Sequence, residues 1–181
     1  RGNPNLTSAA PVAGLTNLEV VQLNGAAITS LAPFRGLANL RRLMATDNAL
    51  TSIDVSELPA LEELQVTGNR LTSLPAMAAA GFPNLRTLSV ANNALTTLAG
   101  LEGLTLQFLS ASSNKLTTIH HIADLKGVRT LYLQDNYLTD MTPLGAVGWD
   151  GGATVALGVN CLGVLYFEES RFYSMPAGPN N

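Results

Sequence analysis

The sequence predicts a solenoid in which each turn adds one short strand to a parallel sheet. Three observations carry this prediction: an aliphatic frame that recurs about every 22 residues, a two-residue alternation inside each copy, and an asparagine at the same place in nearly every copy. One such turn buries too few side chains to offset its own loss of conformational entropy, so each turn is stable only between neighbouring turns.

The aliphatic frame is clearest in two consecutive copies. One contains Leu40, Leu43, Ala45, Asn48, Leu50 and Ile53, and the next contains Leu61, Leu64, Val66, Asn69, Leu71 and Leu74. The asparagine place falls at 26, 48, 69, 93, 114, 136 and 160, with gaps of 22, 21, 24, 21, 22 and 24. Six full turns and a truncated seventh therefore form a solenoid over residues 15–163.

A strand opens each copy. In Leu64-Gln65-Val66 the apolar residues flank a polar one. In extended chain this alternation directs one side chain inward and the next outward. Successive turns are therefore expected to stack their strands into a parallel sheet.

The asparagine follows the strand, where the chain must turn sharply and backbone groups lose their partners in the sheet. A buried amide donates and accepts, so it can bond the backbone of its own turn and of the next. We predict a structural ladder rather than a ligand site, formed by Asn48, Asn69, Asn93, Asn114, Asn136 and Asn160. Ala26 takes this place in the first turn, where fewer neighbouring turns are available to an amide.

The frame resembles the leucine-rich-repeat pattern L-x-x-L-x-L-x-x-N-x-L. Leu15-Thr-Asn-Leu18 and Met141-Thr-Pro-Leu144 resemble the short, roughly 22-residue, internalin-like bacterial class. The resemblance implies an α/β solenoid, a curved right-handed coil with its parallel sheet on the concave face and an irregular or 3-10 convex side. It also implies a non-enzymatic protein-binding scaffold on the bacterial cell surface or in the secreted fraction.

Both ends of the chain depart from the repeat. Residues 1–14 are expected to form an irregular lead-in, and residues 164–181 an aromatic cap and tail. A solenoid exposes apolar edges unless they are capped. The aromatic stretch at 164–173 is therefore interpreted as a cap over the last turn, with a docking segment for a partner as the alternative.

The outward strand positions line the expected concave face. They are mostly short and neutral, and interfaces concentrate their binding energy in buried aromatic and arginine side chains. Arg42, Phe108 and Tyr132 are thus the candidate anchors, and the alternative is that they only cover the sheet. The full set of candidate partner-binding residues is Arg42, Met44, Glu63, Gln65, Phe108, Tyr132 and Gln134. Asp47 and Asp135 are expected at the polar rim.

Composition excludes several other kinds of partner. Only 13% of the residues are charged and the formal net charge is −3. Nucleic-acid binding needs clustered Lys and Arg, which the chain lacks. No apolar run approaches the roughly 18 residues of a membrane-spanning helix.

We predict no catalytic site, no metal site and no cofactor. His120 and His121 are adjacent, so their rings are expected to point apart, and Asp124 would need a helix to pair with His120 on a metal. Cys161 is the single cysteine and suits a small buried thiol.

Two further roles stay open beside protein binding. Low charge and positive mean hydropathy suit a permanently bound structural subunit of a larger assembly, on the cell surface or inside the cell. A more remote alternative is ice binding by a row of hydroxyls, although these can instead serve the local backbone. The row contains Thr29, Thr51, Thr72, Thr96, Thr117 and Thr139.

Overall fold

The computed structural model describes residues 2–158 and residue 160. Seven strands lie in chain order in one parallel sheet. Their bounds are β1 Val20–Gln22, β2 Arg42–Met44, β3 Glu63–Gln65, β4 Thr87–Ser89, β5 Phe108–Ser110, β6 Lys126–Tyr132 and β7 Gly148–Ala156. The predicted leucine-rich-repeat solenoid, with its parallel sheet on the concave face, is therefore confirmed.

The next-to-last residue of each strand points into the core. Neighbouring strands pair these residues with one another, so they form one continuous inward row. All of them are buried: Val21, Leu43, Leu64, Leu88, Leu109, Leu131 and Val155. Two large aromatic residues, Phe34 and Phe82, are fully buried on the opposite side of the coil.

The segments between strands are irregular apart from short 3-10 helices. In the described part these are Ala10–Val12, Ala32–Phe34, His120–Ile122 and Thr142–Ala146. Three of them carry proline at one of their first two positions, where its fixed φ suits a helical start and its missing N–H costs nothing. None of the helices among the described residues is long and apolar enough to span a membrane.

Residues 6–14, which the sequence assigns to the irregular lead-in, are more regular than expected. The amide of Ala27 donates to the carbonyl of Leu6 at 2.9 Å, just as the amide of Ala49 donates to Ile28 at 3.0 Å one turn later. Helix Ala10–Val12 also lies 22 residues before helix Ala32–Phe34. This segment therefore repeats the outer half of a solenoid turn.

The last strand is bulged. Val128 pairs with Trp149 and Thr130 pairs with Thr154, so the four residues 150–153 oppose the single residue Arg129. Extra residues of this kind bend a strand and free it from the ladder. Cys161 and the predicted cap and tail at 164–181 lie outside the described residues.

Candidate functional site

Strand register aligns the outward side chains in three columns on the concave face. The first contains Val20, Arg42, Glu63, Thr87, Phe108, Thr130 and Thr154. The second contains Gln22, Met44, Gln65, Ser89, Ser110, Tyr132 and Ala156. Backbone hydrogen bonds continue the ladder through a third, which contains Asn24, Thr46, Thr67, Ala91, Ser112, Gln134 and Gly158. These are the outward strand positions that the two-residue alternation in the sequence predicts.

The candidate contact residues fall into two clusters on this face. The aromatic cluster comprises Phe108, Tyr132 and Gln134. The rings of Phe108 and Tyr132 meet edge to face, with 5.6 Å between centroids and planes at 90°. Both rings are half-buried, and Ser110, the strand partner of Tyr132, is buried.

The second cluster, the mixed cluster, comprises Arg42, Met44, Glu63 and Gln65 on β2 and β3. Gln65 donates from Nε2 to Oε1 of Glu63 at 2.5 Å. Strand β4 separates this cluster from the aromatic one, which places them about two strand spacings, or roughly 10 Å, apart. The structure therefore does not bring Arg42 together with Phe108 and Tyr132.

Charge is nearly absent from the concave face. Of the 21 positions in the three columns, only Arg42 and Glu63 are charged. The residues immediately before the first column alternate in sign from Glu19 to Arg86, and there Arg41 pairs with Glu62 at 2.6 Å. Further along, Arg129 of β6 pairs with Asp150 in the bulge of β7 at 2.6 Å. The charges bordering the face are thus partly neutralised by one another, while the face itself stays uncharged from β4 to β7.

The rim residues after the third column have a left-handed backbone. Asp47 and Asp135 have φ values of 53° and 58°, and Ser113 has 52° at the equivalent place. Asp47 and Asp135 are exposed. This conformation lets the chain leave the strand abruptly, and aspartate tolerates it better than most residues.

Each ladder amide bonds its own turn and the preceding one. Asn69 donates from Nδ2 to the carbonyls of Ala45 at 2.9 Å and Val66 at 2.9 Å, and its Oδ1 accepts from the amide of Leu50 at 3.0 Å. The expectation that the amides bond to the following turn was wrong in direction, because the side chain points back toward the segment that follows the preceding asparagine. The same arrangement recurs at Asn48, Asn93, Asn114, Asn136 and Asn160.

The threonine row lies on the flank beyond the asparagine ladder. Thr7 extends it by one member, and all seven threonines are exposed. Among the described residues none of their hydroxyls makes a hydrogen bond, whereas the hydroxyls of the next residue along, such as Ser30 and Thr97, accept from the backbone two residues on. The hydroxyls that bond the local backbone are therefore those of the neighbouring row and not those of the threonine row.

Two carboxylates on the convex side are stabilised in their charged form. A hydrogen bond from its own backbone amide, followed by bonds from the Gly100 amide at 2.7 Å and the His121 ring, lowers the pKa of Glu102. The amide and hydroxyl of Thr142, at 2.8 and 2.9 Å, lower the pKa of Asp140. These groups are spread along exposed turns, and within residues 2–158 and 160 no three His, Cys, Asp or Glu side chains cluster as a metal site would require.

Comparison with known proteins agrees with this architecture. The family model described as leucine rich repeat matches residues 59–116. The fold of the chain is therefore of the leucine-rich-repeat class, and the family match itself covers about a third of the residues. No curated protein sequence matches it.

Within that class the chain is internalin-like. The crystal structure of internalin C2 from Listeria monocytogenes superposes with a TM-score of 0.81 at 27% identity, covering 91% of this chain and 72% of that one. Internalin F from the same organism gives 0.63 at 21% identity, covering 89% of this chain and 54% of that one. The functional domain of InlJ, also from Listeria monocytogenes, gives 0.57 at 22% identity, covering 88% and 43%. The last two likenesses show the fold alone, and the chain spans about half the length of each.

Proposed function

We propose that this protein is a non-enzymatic scaffold that binds another protein through its concave face, with the aromatic cluster as its anchor. The observation that carries the proposal is the edge-to-face pair of Phe108 and Tyr132, half-exposed on a face that carries no charge from β4 to β7. Partly exposed rings held by each other keep few side-chain conformations, so binding to them costs little further entropy.

The mixed cluster has a different role in this proposal. Arg42 and Glu63 are the two charges of the face, and charged groups near an interface steer association and fix orientation more than they add affinity. The aromatic cluster therefore provides most of the binding energy, and the mixed cluster sets the partner's direction on the sheet. We place the protein on the cell surface or in the secreted fraction, in line with its likeness to internalin C2.

The binding test uses a phage-displayed library of disulfide-closed loop peptides, panned on the immobilised protein. The double variant Phe108→Ser/Tyr132→Ser takes no part in the selection, and every enriched clone is assayed against it afterwards. Tyr137→Ser is the matched control, since Tyr137 is 56% exposed but lies on the flank outside the three columns. We expect the enriched loops to bind the wild type and the control variant but not the double variant. Binding that survives the double variant and fails with the control would move the site to the flank.

A permanently bound structural subunit is the second candidate. It is favoured by a charged fraction of only 13%, which suits burial in an assembly. Native size measurement in the source extract, with cross-linking and mass spectrometry, separates the two roles. A defined large complex cross-linked through several faces supports the subunit, and a free monomer supports a binding module.

Ice binding by the threonine row is the remote candidate. Seven exposed, unbonded hydroxyls at strand spacing favour it. In each turn, the residue two positions before the threonine also points outward and forms a neighbouring row. That row is flat where it contains alanine, but the long side chains of Arg70, Lys115 and Tyr137 interrupt it. Thermal hysteresis that vanishes in Thr72→Leu would support ice binding, and its absence in the wild type would end it.

A further inference from the structure

Gln134 carries an unusual atom. Among residues 2–158 and 160, its Oε1 is the single buried side-chain nitrogen or oxygen that lacks a hydrogen-bond partner. Two other polar residues of the same column are bonded: Asn24 accepts from the amide of Thr46 at 2.9 Å, and Thr67 bonds the Ser89 hydroxyl at 2.7 Å. An enclosed acceptor without a donor lowers stability, and a native protein that retains one often does so for a functional reason.

The position of Gln134 points to that reason. It follows Tyr132 by two residues, so both side chains leave the same face of the extended chain. No hydrogen bond within the described residues holds either end of its amide, and the torsion that ends a glutamine side chain is broad. The amide can therefore turn outward beside the aromatic pair without breaking any bond, and its oxygen then gains a donor from whatever is bound there.

The surroundings restrict the chemistry of that donor. The twelve column positions from β4 to β7 contain no charged residue. An ammonium or guanidinium donor would lose hydration over these twelve positions and would meet an anion only at the exposed rim, at Asp135. A neutral amide N–H loses less, and an apolar side chain beside it fits the exposed parts of Phe108 and Tyr132.

We infer that Gln134 is the polar anchor of the aromatic cluster, and that its Oε1 accepts a hydrogen bond from a neutral amide of an uncharged, apolar loop of a partner protein. This inference rests on the proposed concave-face function. Gln134 thereby selects an uncharged loop tip with a free N–H over a charged one.

The stability of the unbound 181-residue chain gives the first test. Gln134→Met keeps the side-chain volume and removes the unpartnered acceptor, so we expect the melting temperature to rise by about 2–4 °C. Gln107→Met is the matched control, because Gln107 is exposed on the flank before β5, and no change is expected there. A fall in melting temperature for Gln134→Met would show that the oxygen is already bonded within the chain, and the inference would be overturned.

Binding gives the second test, with a synthetic copy of the loop peptide enriched in the display selection as the probe. We expect Gln134→Met to weaken the binding of the peptide roughly five- to tenfold, while Gln107→Met leaves its affinity unchanged. Enriched loops should carry apolar tips without Lys, Arg, Asp or Glu. If the peptide requires Phe108 and Tyr132 but is indifferent to Gln134, the inference fails and the proposed function stands. If the peptide requires neither ring, the proposed function fails, and the melting temperature still reports on Gln134 independently.

Discussion

Asn114 donates a hydrogen bond from Nδ2 to the carbonyl of Val90 at 3.0 Å, one full turn earlier in the chain. The bond shows that each ladder amide is completed by the turn before it. An asparagine in the first turn would therefore reach toward residues 2–6, which follow no strand in the sheet. Ala26 occupies that place, because an amide there would lack the carbonyl partners that later turns supply.

The ladder predicts unequal costs for equivalent substitutions. Asn114 is buried and makes four hydrogen bonds, three as donor and one as acceptor. Asn114→Ala leaves these backbone groups unpaired in the core, and we expect it to lower the free energy of unfolding by about 3 kcal/mol. Urea unfolding at 25 °C measures the change.

Asn48 provides the matched comparison. It is half-buried and makes three side-chain hydrogen bonds, two as donor and one as acceptor. Water can reach more of the groups that Asn48→Ala would free, so its expected cost is about 1–2 kcal/mol. Equal costs at the two sites would contradict the view that burial, rather than the bond count alone, determines the contribution.

Much of the concave face followed from the sequence because a two-residue period fixes both register and facing. Once Leu64 is inward, Glu63 and Gln65 must be outward, and the same step from turn to turn gives the three columns. The contacts that decide function depend on rotamers and on neighbours across turns. The enclosed oxygen of Gln134 and the pairing of Arg41 with Glu62 lie beyond any periodicity argument.

The convex side was less predictable for a related reason. Few regular backbone hydrogen bonds join its segments from one turn to the next, so the number of residues between strands varies. Short 3-10 helices form where the local residues permit them. The regular turn before residue 15 was also missed, although Ala10-Pro-Val and Ala32-Pro-Phe stand 22 residues apart and carry the signal. The copies there lack the strand and the asparagine that made the frame visible.

The left-handed rim offers a stabilising substitution. Ser113 has φ 52°, a conformation that costs an L-residue about 1 kcal/mol or more and glycine very little. Ser113→Gly loses a weak exposed bond to Asp135 at 3.3 Å, so we expect a net gain of about 0.5 kcal/mol in unfolding free energy. Thermal and urea unfolding should agree on the sign.

Gly100→Ala is the converse control. Gly100 has φ 102°, and a Cβ there would collide with the backbone carbonyl of Pro75. Since backbone cannot move aside as a side-chain tip can, we expect a loss of at least about 2 kcal/mol. A neutral Gly100→Ala together with a harmful Ser113→Gly would show that backbone conformation does not limit stability in these turns.

Acid should weaken the convex side through Glu102. Because its folded-state pKa lies below its usual value, the stabilisation is complete at pH values above the unfolded pKa and is lost as pH falls through the folded pKa. We expect the urea midpoint to decline less steeply in Glu102→Gln than in the wild type between about pH 5 and pH 3. Glu19→Gln is the control, since the Glu19 side chain makes no hydrogen bond among the described residues, and it should follow the wild type.

The aromatic pair predicts a measurable coupling in the unbound protein. Phe108 and Tyr132 lie on adjacent strands with their rings in an edge-to-face arrangement, a geometry worth about 0.5–1.5 kcal/mol beyond area burial. Phe108→Ala should lower the free energy of unfolding more in the wild type than in the Tyr132→Ala variant, and the same should hold for Tyr132→Ala with the roles exchanged. A double-mutant cycle from urea unfolding isolates this coupling.

The size of that coupling bears directly on binding. If the rings stabilise each other by about 1 kcal/mol, the cluster is held in place before a partner arrives, and Phe108→Ala should weaken a loop peptide even where Tyr132 makes the direct contact. Thr87→Ala and Thr130→Ala, which alter the same column on either side of Phe108, should show little coupling to Tyr132 and serve as controls. A coupling free energy of zero in the double-mutant cycle would mean that the rings act independently. The loss of peptide binding would then be the sum of two separate contacts.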